Sequence, residues 1–438
     1  MGSERDLMYY YRYQNRYYAA LKPFDRDGAA AVTQEEALDR TAGKALIFLR
    51  EADPAVSRFR YRADEPRLVT REEGPACLDP ARLVPPAEGE ALPDGFFREQ
   101  GVTVENAADP RFSVLTGKTD ICDAGVRALK EGRCRLHVAA LGDVGSTMLM
   151  ALKLLGGDVI SEIGIYDLNR NLAERWEREL NQMAYPEGGD LPEVRILEES
   201  EIFDCDVFVF AATASVPPVG SGVTDVRLVQ FEANRRIMAI YASAARRAAY
   251  SGLFCVVSDP VDLLCRSAYE LSNTDDNGAF DGRGLRSEQI HGFGLGVMYA
   301  RAAYYAGKAG FREVFLREGR AYGPHGEGLV IADSVNGYDH ERSLWLTTKT
   351  VAANREVRDL GYKPYAAPAV SSGALSILTM LRGGWHDGSV FLGGSFMGVR
   401  SRLTDSGLMI ESRSLPEALY ERICRADAIN RENYGRLL

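Results

Sequence analysis

Between residues 135 and 265 the sequence alternates short, wholly apolar runs with longer amphipathic ones, and no other feature restricts the fold so sharply. LHVAALG, IGIYDLN, DCDVFVFAATA and LFCVVSDPVD each read as a strand. STMLMALKLLGG and the stretch around QFEANRRIMAIYASAARRAAYSG read as helices. A strand with one wet face alternates apolar and polar side chains, whereas these runs are apolar throughout. They must be covered on both faces, and strand–helix–strand order then calls for a parallel sheet with helices on either side.

The expected fold class is therefore α/β: a doubly wound parallel sheet of the Rossmann type, followed by an α+β domain. The texture of the chain divides it into residues 1–130, 131–265 and 266–438. In the last segment GVMYARAAYYAGKAG and SSGALSILTMLRGG read as helices, and GSVFLGGSF and GLMIESRS as paired strands. The first segment reads as a partly irregular extension. Tyr10, Tyr13, Tyr17 and Leu21 would share one face of a helix, and prolines at 66, 75, 80, 85, 86 and 93 imply extended coil beyond it.

Bulk properties exclude several classes of function. At 438 residues the chain exceeds what one core can bury, so more than one domain is expected. A net charge of −10 argues against nucleic acid or an acidic membrane as partner, since both require a basic face. No apolar run approaches the roughly 18 residues of a membrane span. MGSERDLMYYYRYQNRYY lacks the apolar core of an export signal. The seven cysteines form no CxxC pair, which fits free thiols in a reducing cytoplasm.

AALGDVGST follows a strand and opens a helix. Ala140-x-Gly142-x-x-Gly145 has the spacing of a dinucleotide-binding loop, with alanine in place of its first glycine. Gly142 would let the backbone approach a pyrophosphate, Gly145 would let helix and strand pack, and the helix N-terminus would supply free amides around Asp143 and Val144. Asp167 ends the next strand, about 20 residues on, where a carboxylate would accept from the ribose hydroxyls. That charge would repel a 2′-phosphate, so NAD is the expected cofactor. Thr213, Ala214 and Ser258, at the ends of the following strands, complete the expected cofactor contacts.

From residue 135 to about 430 a series of motifs, in order, resembles the lactate/malate dehydrogenase family. GDVGST…IGIYDLN resembles its nucleotide half, and DVFVFAATASVPP its strand leading to a substrate-covering loop. TDVRLVQFEAN resembles its Arg-x-Asp-Leu-x-x-x-Asn element through Arg227 and Asn234. VVSDPVD resembles its Thr-Asn-Pro-Val-Asp turn, GVMYARAA its Leu-Asp-x-x-Arg helix, and GPHGEG its Gly-x-His-Gly-Asp segment. The resemblance implies that His325 exchanges the substrate hydroxyl proton, a task suited to an imidazole titrating near neutrality. It also implies that Arg301 clamps a substrate carboxylate, that Arg227, on a mobile loop, polarises the carbonyl, and that Asn234 and Val216 contact substrate.

This chain departs from the family pattern at two places that carry chemistry. Met298 stands where the family has the aspartate that partners its histidine, and Asp259 stands where it has asparagine. Asp259 is then the expected replacement partner for His325, with Glu327 a weaker one. The reading is an NAD-dependent oxidoreductase of a 2-hydroxy or 2-oxo acid other than lactate or malate, acting as a homo-oligomeric dimer or tetramer and binding no metal. Two alternatives stay open: an NAD-binding regulatory protein without turnover, and an NAD-dependent glycosidase.

Overall fold

The computed structural model describes residues 8–13, 16–23, 28–40, 46–69, 73–84, 97, 101–109, 132–214, 226–326, 328–404 and 407–436. Six strands form the expected parallel sheet: β7 (Cys134–Ala139), β8 (Ile160–Tyr166), β9 (Glu193–Ile196), β10 (Val207–Phe210), β11 (Leu253–Val256) and β12 (Ile290–Gly292). Their order in space is β9-β8-β7-β10-β11-β12, every neighbouring pair parallel. The order reverses between β7 and β10, and ligands of such sheets bind in the crevice beyond the strand ends at that point. Every residue of β10 and β11 is buried, which is why these strands show no alternation. The parallel set runs on to β12, past residue 265 where the texture of the sequence changes.

Helices α2 (Asp143–Leu155), α3 (Arg170–Asn181), α4 (Val226–Arg247) and α5 (Val261–Ser272) connect these strands. The C-terminal part adds helices α6 (Leu295–Lys308), α7 (Arg312–Glu318), α8 (His340–Asp359), α9 (Ser376–Leu381) and α10 (Glu417–Arg436), with a wider helical segment Pro368–Leu375 before α9. Its strands β15 (His386–Leu392), β16 (Ser395–Thr404) and β17 (Gly407–Ile410) form an antiparallel set whose first member lies beside β12. A separate hairpin, β13 (Arg320–Tyr322) with β14 (Val330–Ala332), has His325 in its connection.

The N-terminal segment is more regular than its composition implies. Tyr10 and Tyr13 lie in strand β1 (Tyr9–Tyr13) and Tyr17 in β2 (Arg16–Ala20), an antiparallel pair, so the expected tyrosine-faced helix is corrected to a hairpin. Tyrosine favours strands, and Tyr10 and Tyr13 are buried there against neighbours in the sheet. Strands β3 (Ala30–Val32), β4 (Ile47–Arg50), β5 (Arg60–Ala63) and β6 (Val102–Asn106) extend this sheet, with one short helix, α1 (Gln34–Arg40), between β3 and β4. Parallel pairing of β5 with β17 joins it to the rest, giving one sheet of 15 strands among the described residues. The proline-rich stretch holds short turns of helix at Pro66–Leu68, Pro75–Leu78 and Pro80–Arg82, each begun by its proline.

Candidate active site

The chain leaves β7 through Ala140, whose φ of +75° puts an alanine in the left-handed region where a glycine would be unstrained. Gly142 then caps α2 without any side-chain cap, so the first-turn amides, those of Asp143 and Val144 among them, have no partner within their helix. A Cβ on Gly142 would meet nothing within 4 Å, whereas one on Gly145 would lie 2.1 Å from the Ala140 carbonyl oxygen. Open space before Gly142 and close packing behind Gly145 are what a pyrophosphate at this helix end requires. The exposed Asp143 carboxylate is held off by Lys363, 3.1 Å away. Asp167 is fixed by the loop itself: it accepts from Leu141 N at 2.7 Å and from Asn169 N at 2.8 Å. Each of its oxygens keeps a lone pair for a further donor.

His325 lies opposite, beyond the ends of β11 and β12. Its Nδ1 is 2.8 Å from the Gly294 carbonyl oxygen. A carbonyl can only accept, so Nδ1 carries the proton and, in the neutral ring, Nε2 keeps the lone pair. Ser372, almost fully buried, also donates to Gly294 O at 2.9 Å and accepts from Val297 N at 2.8 Å. The same carbonyl is thus pinned from a second side. Beneath the ring, the His325 backbone N–H donates to the Asp262 carboxylate at 3.0 Å. Asp262 is buried in the first turn of α5, and that burial raises its pKa.

Asp259, the expected replacement partner, lies within ion-pair distance of the ring but beyond hydrogen-bond distance. Its Oδ1 lies 3.7 Å from Nε2, the nitrogen left for the reacting proton, and its side chain is 54% exposed. At that distance it makes no direct hydrogen bond and cannot orient the ring. Glu327 lies outside the described residues, as does Val216. Met298 is buried in α6, and Arg301 Nη1 reaches its sulfur at 3.6 Å.

Arg301 is half-buried, and its Nη2 donates to the Asn354 side-chain oxygen from α8. Burial pushes its guanidinium below the ordinary value, while the negative charge of Asp259 acts in the opposite direction. Arg301 and Asp259 are therefore close enough for their charges to interact. Asn234 corrects its expected substrate role: it is fully buried, accepts from Ala214 N at 2.7 Å and donates to Asp259 O at 2.7 Å. It ties together the chain beyond β10 and β11 instead of facing a ligand. Ser258 does similar work, donating to Ala212 O at 2.7 Å, while Thr213 stays exposed at the rim. Arg227, expected on a mobile loop, has its backbone in the first turn of α4. Among the described residues no group of three or more His, Cys, Asp or Glu is placed to hold a metal ion.

Residues 134–281, which include all of the nucleotide loop, match the NAD-binding domain of lactate/malate dehydrogenases as a family. Over that span the chain is similar to the lactate/malate dehydrogenase family. It is 29% identical over 209 residues to an L-lactate dehydrogenase of Treponema denticola, covering 47% of this chain and 59% of that protein. To L-lactate dehydrogenase 2 of Listeria innocua serovar 6a it is 25% identical over 161 residues, covering 37% and 46%. The matched region thus spans about half the length of these relatives.

Solved structures extend the likeness in fold. A minor L-lactate dehydrogenase from Enterococcus mundtii superposes with a TM-score of 0.58 at 20% identity, covering 70% of this chain and 99% of that one. A malate dehydrogenase from Archaeoglobus fulgidus, in complex with NADH, gives 0.57 at 20% identity, covering 69% and 99%. Against this lactate/malate dehydrogenase frame, the groups missed in the sequence are Asp262, Gly294, Ser372 and Asn354. Asp262 was visible, being the last residue of VVSDPVD; the other three act through backbone or through distant elements and leave no local signal.

Proposed function

We propose that this protein is an NAD-dependent oxidoreductase interconverting a 2-hydroxy acid and a 2-oxo acid, with His325 as the acid–base. The observation that carries the reading is the imidazole with Nδ1 committed to Gly294 O and Nε2 3.7 Å from Asp259, a carboxylate whose charge also acts on Arg301. A ring held this way can take a hydroxyl proton on Nε2 and return it in the reverse direction. NAD fits the residues present: the uncapped end of α2 would hold its pyrophosphate and Asp167 its adenosine ribose. When bound, it supplies a hydride acceptor. Arg301 would fix the substrate carboxylate, and Arg227, at the start of α4, would meet the carbonyl oxygen.

Asp259 bears on which acid is used. The positive charge of Arg301 is offset locally by this carboxylate, so a simple monocarboxylate gains less here than it would beside an uncharged residue. A substrate offering an amino or hydroxyl donor to Asp259 recovers that loss, which favours an acid other than lactate or malate. Turnover of a panel of 2-oxo acids, followed by loss of NADH absorbance, tests the proposal. NADH bound tightly with no member of the panel reduced would favour the alternative of a binding protein, to which Met298 lends support. Exposed apolar side chains on and after α8, including Trp345, Val351, Leu360 and Tyr362, support self-association, which light scattering checks. The described cysteines are free and five of them are buried, which fits a reducing compartment such as the cytoplasm.

A further inference from the structure

From the geometry beneath the imidazole we infer that Asp262 is the counter-charge of His325, a positioning residue that stands in for the carboxylate missing at Met298. The inference rests on His325 being the proton-transfer group. During alcohol oxidation the ring becomes an imidazolium, and a positive charge forming in a half-dry site needs a negative one nearby. Met298 supplies none. Gly294 O fixes which nitrogen carries the resting proton, but a neutral carbonyl shared with Ser372 is a weak counter-charge.

Two carboxylates remain, and they differ in setting. Asp259 lies 3.7 Å from Nε2, but it is half-exposed and water screens it. Asp262 is 5% exposed, so its field on the ring passes through protein. A charge pair several ångströms apart in such surroundings interacts about three to four times as strongly as an equal pair in water. Burial raises the Asp262 pKa, and against it act the first turn of α5, where the helix end stabilises a carboxylate, the hydrogen bond from the His325 backbone and the charge on His325. Its hydrogen bond to the His325 backbone fixes the separation between the two charges. One residue thus anchors the loop and compensates the charge. The same position in VVSDPVD that opens α5 thereby acquires a role in proton transfer, while Asp259, toward the substrate side, is left to act on the ligand.

The test is the titration of His325 itself, read by carbon-detected histidine NMR on the full chain with NAD present. There are only five histidines, and His325→Asn assigns the signal. Among the described residues the charged groups beside His325 are Asp262 from α5 and Asp259 from the turn before it, and Arg301 from α6 acts on Asp259. Asp262→Asn keeps an oxygen to accept from the His325 backbone but removes the charge. Its titration midpoint should fall by at least half a pH unit, and by more than in Asp259→Asn. A role limited to anchoring the backbone predicts no such shift, and a larger shift in Asp259→Asn would overturn the assignment. If Asp262→Asn does not fold, the Asp262 carboxyl carbon in the unaltered protein should still change shift through the His325 titration. A flat response there contradicts the inference. Because none of these readings uses turnover, the inference can fail while the dehydrogenase reading stands, and the reverse.

Discussion

Gly294→Ala isolates the placement of the imidazole from everything else in the site. The backbone there has φ −120° and ψ −32°, which alanine tolerates. Its methyl group, however, would stand 2.8 Å from His325 Cβ, 3.0 Å from Cγ and 3.1 Å from Nδ1, where ordinary contacts begin at 3.4 Å. The ring must therefore retreat by roughly half an ångström, and it cannot slide with its backbone because Asp262 holds the His325 N–H. A displacement of this size in an acid–base group costs about 10- to 100-fold in rate, or about 1.4–2.7 kcal/mol of transition-state stabilisation. The nucleotide loop at α2 is untouched, so NADH affinity by fluorescence should stay as it was. The kinetic assay is NADH consumption with the best 2-oxo acid of the panel. Undiminished kcat/KM in Gly294→Ala would refute the argument that this carbonyl shelf sets the ring, and a matching loss of NADH affinity would mean a general collapse.

Four further outcomes follow from the same geometry. Asp167→Ala should narrow the preference for NAD over NADP by about 1–3 kcal/mol, the scale of a charge-assisted hydrogen bond, in competitive binding. Asp259→Asn should raise kcat/KM for pyruvate about fivefold, the ~1 kcal/mol of one solvated charge pair near 4 Å. Ala140→Gly should stabilise the fold to urea by about 0.5–1 kcal/mol, since relief of the left-handed alanine exceeds the added freedom of the unfolded chain. Burial raises the Asp387 pKa from 3.8 to about 6, so the folded state prefers it protonated, and its stabilising effect is lost as pH rises from about 4 through 6. Asp387→Asn should therefore gain up to about 3 kcal/mol at pH 7, and that gain should vanish in thermal melts near pH 4.

What the sequence disclosed follows from which forces act locally. β10 and β11 are buried on both faces, so their composition alone announces a parallel sheet, and the loop at Gly142 and Gly145 announces the crevice beside it. His325 was legible because glycine and proline around it leave few structural reasons for an imidazole. The tyrosine hairpin was not, because residues 10, 13 and 17 have helical spacing while their strands are set by pairing with each other and with β3. The backbone surroundings of His325 were illegible for a related reason. Sequence comparison looks for a side chain to replace the one lost at Met298, and so it selects Asp259. The structure adds a backbone carbonyl from the loop before α6, bonded to the ring, and a buried carboxylate bonded to the His325 backbone amide. Asn234 looked like a ligand contact because its position matches the motif, yet both ends of its amide are taken by the main chain.

His325 as the proton-transfer group of an NAD-dependent dehydrogenase is the proposal on which the other expectations depend. The most direct measurement compares NADH oxidation by the unaltered protein and by His325→Asn across the 2-oxo acid panel, with NADH binding measured on both. The expected result is turnover of at least one acid by the unaltered protein, and in His325→Asn a loss of about 100-fold or more with NADH affinity unchanged. Full activity in His325→Asn would contradict it.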